Sequence, residues 1–168
     1  MDARWRDPSP KLQNKMTQLP IAPATLRHEE VTLVFSHMTE GDEAKGFVPG
    51  YHFKILNADS VEVGHLNFRI GDTDHVRLAA GHIGFEVVDK HRGHRYAFKA
   101  CLAVAPWVSE ISGKVLITVD PDNLASIRTI ERLGAIFLDE VDVPQSDPHY
   151  ARGSVRKRHY QWEPGKQE

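Results

Sequence analysis

Residues 89–98 read DKHRGHRYAF. Lys90, His91, Arg92, His94 and Arg95 surround a single glycine, Gly93. Ahead of them lies the apolar run IGFEVV, and behind them AFKACLAVA, whose apolar residues recur at helical spacing. A strand that turns here into a helix brings three things together. The first N–H groups of a helix have no intrahelical acceptor and sit at the positive end of its dipole. A glycine lets the backbone approach an anion closely. Arg92 and Arg95 add charged donors matched to phosphate oxygens. The segment is built as a phosphate cradle, although a solvated basic turn presents the same residues. It is not the GxGxxG dinucleotide fingerprint, and no Gly-Lys-Ser/Thr follows as in a Walker loop.

The elements around the turn can be read from pattern. Val31–Phe35 is a short β-rich run, and residues 51–70 read as strand, turn and strand, with Asn57–Ser60 as the turn. Asp72–Asp74 mark a loop, and Gly81–Val88 reads as a third strand, apolar on both faces and therefore central. Ala97, Ala100, Cys101, Val104, Trp107, Val108 and Ile111 then predict a helix that Pro106 should kink or shorten. Lys114–Val119 reads as a buried strand, and Asp122 or Asn123 caps a second helix with Ile127, Ile130 and Leu133 on one face. Ile136–Val143 and Val155–Trp162 form a closing antiparallel pair, joined by a long loop of the kind that often serves a site. The fold class is α+β (mixed α/β): a mixed, mostly antiparallel sheet with one parallel strand junction, flanked by helices, because a strand-helix-strand crossover makes its strands parallel. Residues 1–168 are expected to form a single domain, with 1–26, rich in Pro, Gln, Lys and Asp, as an irregular arm.

A second segment, VDPDNLASIRTIERLGAIF, completes the pattern. Together the two segments resemble the GCN5-related N-acetyltransferase (GNAT) superfamily, in which Arg-Gly-x-Gly-x-Ala turns a strand into a helix and Asn-x-x-Ser/Ala begins the next helix, which ends at Leu-Gly. The matching residues are Arg92, Gly93, His94, Arg95, Tyr96 and Ala97, followed by Asn123, Ser126, Glu131, Leu133 and Gly134. The likeness is strongest over residues 80–140, and Ile83-Gly84-Phe85 looks most like the branch that holds ribosomal-protein N-terminal acetyltransferases.

The resemblance implies transfer of an acetyl group from acetyl-CoA to a primary amine of a small molecule or peptide by direct attack. It implies that the amides of Arg92, Gly93, His94, Arg95, Tyr96 and Ala97 hold the pyrophosphate. Val87 and Val88 would pair with the pantetheine like an extra strand, and the strands Gly81–Val88 and Lys114–Val119 would splay to admit the thioester. Asn123, with Ser126 beside it, would bond the pantetheine arm, hold the splayed strand end, or simply cap its helix. A homodimer is expected on the same ground. Two residues depart from the family: Arg95 stands in place of the second glycine, and Ile130 stands where many members carry the tyrosine that protonates the leaving thiolate.

An alkylamine is mostly protonated at neutral pH, with a pKa of about 10.4 for lysine, so a base is useful. His82 stands where some members carry a carboxylate base; it is either that base or a histidine satisfied by the fold. Glu86, nearer the turn, is a second candidate that orients substrate, and Tyr150 in the late loop is the candidate acid. The alternative function, suggested by Ile130, is a non-catalytic acyl-CoA-binding or sensor domain of the same fold.

Composition narrows the rest. A net charge of −2 makes the molecule no general trap for nucleic acid, and the basic run 151–160 reads as an edge strand guarded by charge. The ten histidines show no Cys cluster and no His-Glu-x-x-His, so no metal site is expected. The one cysteine, Cys101, excludes an internal disulfide and reads as a buried side chain. No run reaches the ~20 apolar residues of a membrane span and the start lacks a secretory pattern, which gives the expectation of a cytoplasmic protein. The acceptor is left open; Glu40, Asp42 and Glu43 would attract a cationic amine or simply form an acidic surface loop.

Overall fold

A computed structural model describes Trp5 and residues 19–166. The chain begins with five antiparallel strands in sequential order: β1 (Thr25–His28), β2 (Val31–Thr39), β3 (Gly50–Leu56), β4 (Glu62–Arg69) and β5 (Ile83–Val87). A 16-residue helix, α1 (Tyr96–Ile111), crosses to β6 (Val115–Val119), and a second helix, α2 (Leu124–Arg132), leads to β7 (Ile136–Asp142). A short helix, α3 (Pro148–Ala151), precedes β8 (Arg156–Trp162). The last three strands form a second ladder in the order β6-β8-β7. The sheet is mostly antiparallel, and β5 and β6 are the one parallel pair, as the crossover requires.

The core lies between the first ladder and α1. Alternation along β3 and β4 turns Tyr51, Phe53, Leu66 and Phe68 inward, and helical spacing turns Ala100, Cys101, Val104, Trp107 and Val108 toward them. The Trp107 ring meets Tyr51, Phe53 and Phe68 edge-on at 5.0, 5.8 and 5.6 Å. Burial pushes the Cys101 thiol up to about 12, so it stays protonated and inert. Pro106 lies within α1 without shortening it. It is on the exposed face, where water can take the carbonyl that proline leaves unpaired.

Four local readings change. β1 begins at Thr25, inside the stretch read as an arm, and Val31–Phe35 extends to Thr39. Residues 19–24 run along the sheet, with Tyr51 donating to the Pro20 carbonyl and Phe35 N–H to Ala24 (2.9 Å). A π-helical turn, Val76–Ala80, fills what read as plain loop. β5, expected to be central, stands between β4 and β6 at the junction of the two ladders, and touches β6 only at its start. β8 is not an edge strand but the middle of its ladder, so its charges serve a different end. Lys157 and His159 are buried, at 8% and 4% exposure, while Arg156 pairs with Glu140 and Arg158 covers the Phe137 ring.

Candidate active site

The site begins where β5 and β6 touch. Gly81 has φ +65°, and a Cβ there would lie 2.9 Å from the Leu116 carbonyl oxygen, so only glycine allows this approach. His82 N–H donates to the Leu116 carbonyl (2.7 Å). The Leu116 N–H donates back to His82 Nδ1 (2.9 Å), which fixes the tautomer with hydrogen on Nε2, and Nε2 donates to the Gly71 carbonyl (3.0 Å). The imidazole is 6% exposed and lies 5.3 Å, centroid to centroid, from the Trp5 indole. His82 therefore braces the two ladders. Among the described residues no ladder continues between β5 and β6, so the strands part toward their C-terminal ends.

The basic turn sits at the parted end. Gly93 has φ +94° with no atom within 4 Å of an added Cβ, and Arg95, the residue ahead of α1, is itself left-handed at φ 60°, ψ 28°. In that conformation the N–H groups from Gly93 to Phe98 find no backbone acceptor among the described residues. A row of unpaired donors at a helix start, beside Arg92 and Arg95, fits an anion. Arg92 also braces the turn: Nη1 meets Asp89 at 2.8 Å and Nε donates to the Val87 carbonyl at 3.1 Å. His94 stacks on Tyr96 at 5.2 Å.

Two neighbouring cavities follow. One, of about 390 Å³, runs from the turn along Phe85, Glu86 and Val87 to Asn123, Ala125, Ser126 and Thr129. The other, of about 220 Å³, lies in the fork, between Ile83, Gly84 and Phe85 on one side and Ile117, Thr118 and Val119 on the other. They share Phe85, Asn123 and Ser126, so groove and fork are continuous. Asn123 caps α2, its Oδ1 accepting the Ser126 N–H (3.2 Å). Val88 N–H is committed to Val63 of β4 (2.9 Å), so strand alternation turns the Val87 N–H and carbonyl toward the open edge.

The fork is closed by side chains that pattern reading did not single out: Arg69, Asp120, His149 and Lys157. Lys157 Nζ meets Asp120 at 2.9 Å, and Ser154 Oγ donates to the same carboxylate at 2.5 Å. Burial raises the Asp120 pKa, but these bonds outweigh it and hold the carboxyl below its ordinary value. His75 Nδ1 lies 2.6 Å from Asp147, which caps α3 through the His149 N–H (2.9 Å). Burial, aided by the charge of Lys157, pushes the His149 imidazole down to about 4, so it is neutral at pH 7. Of the proposed catalytic residues, His82 is at the closed end of the fork, Glu86 is exposed on the groove, and Tyr150 lines neither cavity; its neighbour His149 does. Ile130 is fully buried beneath the fork. The flagged late loop was the one available signal for His149; Arg69 read as an ordinary strand end.

The sequence matches the model of the acetyltransferase (GNAT) domain over residues 9–136, and the chain belongs to that family. The acyl donor of this family is acetyl-CoA. No curated protein matches the sequence. Among solved structures, the chain is similar to a GNAT-family acetyltransferase from Bacillus anthracis (18% identity, 68% of this chain and 67% of that one, TM-score 0.54). It is also similar to the ribosomal-protein-S5-alanine acetyltransferase from Vibrio fischeri (12%, 71% and 64%, TM-score 0.54). A third is the microcin C7 self-immunity acetyltransferase, solved with acetyl-CoA and AMP (16%, 67% and 59%, TM-score 0.51). At these identities the likeness is one of fold, and the chain spans about two thirds or less of the length of these proteins.

Proposed function

We propose that this chain is an acetyl-CoA-dependent N-acetyltransferase that acetylates a primary amine by direct attack. The observation that carries the reading is the continuity of the unpaired N–H groups of Gly93–Phe98 with the fork between β5 and β6. The turn residues Arg92 to Ala97 would hold the pyrophosphate, the Val87 edge and Asn123 the pantetheine, and the fork the reacting end. Arg92 must release the Val87 carbonyl if that oxygen is to pair with the pantetheine. Acetyl-CoA, when bound, supplies the thioester carbonyl that the amine attacks.

Of the candidate groups for proton transfer, His82 has both ring nitrogens engaged with backbone, which favours the brace over the base. Glu86 orients substrate at the groove. His149 is neutral at pH 7 and lines the fork, which favours it as a relay that passes the proton the amine loses on to solvent, since at about 4 it is too weak a base to retain it. Tyr150 is off the fork and Ile130 has no proton to give, so the thiolate takes its proton from solvent.

A non-catalytic acyl-CoA-binding domain has the buried Ile130 in its favour. An acetyl-CoA turnover screen over amino acids, polyamines and N-terminal peptides, read as free thiol and acetylated product, separates the two. Thiol formed in step with an acetylated amine supports the enzyme; binding without turnover supports the sensor.

A further inference from the structure

Arg69 ends β4 at the wall of the fork. Among the described residues its guanidinium is held by neutral groups. Nη1 donates to the carbonyls of Ala80 (3.2 Å) and Gly81 (3.4 Å). With its amide oriented to satisfy its neighbours, buried Asn67 donates to the Gly84 carbonyl (3.1 Å) and accepts from Arg69 Nη2 (3.0 Å) and Nη1 (3.2 Å). Among the described residues no carboxylate pairs with Arg69. Burial, and then the charge of Arg152, lower its pKa. A cation drawn partly out of water without a counter-ion is costly, and the fold nevertheless holds it through several hydrogen bonds. The other charges of the fork do not compensate. Lys157 and Asp120 cancel as a pair, and His149 is neutral, so the lining keeps the positive charge of Arg69. The acidic residues of the early loop, Glu40, Asp42 and Glu43, do not line this cavity.

We propose that the acceptor is an amine that also carries an oxyanion, carboxylate or phosphate, and that Arg69 is the specificity residue that pairs with it in the fork. This rests on the acetyltransferase reading above. Arg69 offers parallel N–H donors to either oxyanion, which a lysine cannot reproduce. The small cavity, about 220 Å³, suits a compact acceptor or the end of a longer one. A polycation would place further positive charge against a half-buried guanidinium and is disfavoured.

The test compares matched acceptors on the full chain: L-amino acids against their amides for the carboxylate, and O-phosphoethanolamine against ethanolamine for the phosphate. The expected result is a kcat/KM at least tenfold higher for the anionic member of one pair, and which pair responds tells carboxylate from phosphate. Arg69→Gln should abolish that preference by raising KM for the anionic member at least tenfold more than for the neutral one, and retain acetyl-CoA affinity as proof of folding. Arg69→Lys should restore part of the preference. Equal rates within both pairs, turnover of neutral acceptors only, no turnover of either anionic class, or a preference untouched in folded Arg69→Gln overturns the proposal. Failure of acetyl-CoA to bind would instead overturn the reading on which it rests.

Discussion

Arg95 allows strain and charge to be separated at one position. Its backbone is left-handed, a region that is unfavourable by about 1–2 kcal/mol for a residue with a Cβ. Arg95→Gly removes that strain but adds unfolded-chain entropy worth roughly 0.5–1 kcal/mol. The difference is a net stabilisation of about 0.5–1 kcal/mol, which for a chain of this size is a rise in Tm of about 1–4 °C. Arg95→Ala keeps the Cβ and the strain, so its stability should stay within about 0.5 kcal/mol of wild type. The charge behaves differently. The Arg95 side chain is exposed and Arg95 lines the groove, so both variants lose the same cation there. Each should weaken acetyl-CoA binding about tenfold, or ~1.4 kcal/mol, with a smaller loss at high salt. Urea melts and calorimetric titration of the two variants, at two salt concentrations, measure both effects. If Arg95→Ala stabilises as much as Arg95→Gly, the left-handed turn is not what makes Arg95 unfavourable. If affinity falls in one variant alone, the charge argument fails.

Other outcomes follow from the same geometry. His82→Ala leaves the Leu116 N–H and the Gly71 carbonyl without their partner, so stability should fall by about 2–4 kcal/mol; a folded variant of wild-type stability and reduced rate would return His82 to the role of base. His149 lies at about 4 in the fold against an ordinary 6.5, so the unfolded chain takes up a proton first. Its contribution is complete above pH 6.5 and is lost as pH falls toward 4, an effect on the order of 3 kcal/mol at most. Denaturant melts from pH 4 to 7 should show a shallower slope in His149→Asn, and an unchanged slope would place the imidazole in water. His149→Ala should also lower kcat about a hundredfold at unchanged acetyl-CoA affinity, whereas full activity would leave proton removal to solvent.

The parts of this site that a sequence can display are those encoded by neighbours. The strand, basic turn and helix of residues 81–111 lie in one continuous segment, so their order and their chemistry were visible together. The helix survived Pro106 because that residue faces solvent, which apolar spacing alone does not reveal. β1 and the π-helical turn Val76–Ala80 are too short to display a period; β1 is held by its hairpin partner β2, and the turn by β6, far along the chain. Arg69, Asp120, His149 and Lys157 come from four separate elements, spread from the end of β4 to β8. Each has an ordinary local role, as strand end, loop, helix turn and strand, and only the fork brings them together. His82 was visible as a special residue, but its two backbone partners, Leu116 and Gly71, belong to other segments, so its position alone left base and brace open.

The central claim is that the turn around Gly93 is the cradle for acetyl-CoA, and calorimetric titration of wild type and Gly93→Val tests it most directly. Gly93 has φ +94°, so a β-branched residue cannot hold the turn without strain of about 1–3 kcal/mol, while an added Cβ meets no atom within 4 Å in the fold itself. The account predicts one molecule of acetyl-CoA bound per chain by wild type, weaker as salt rises, and an affinity at least tenfold lower in a Gly93→Val protein that still melts cooperatively. Absence of binding by wild type, or equal affinity in the folded variant, would contradict it.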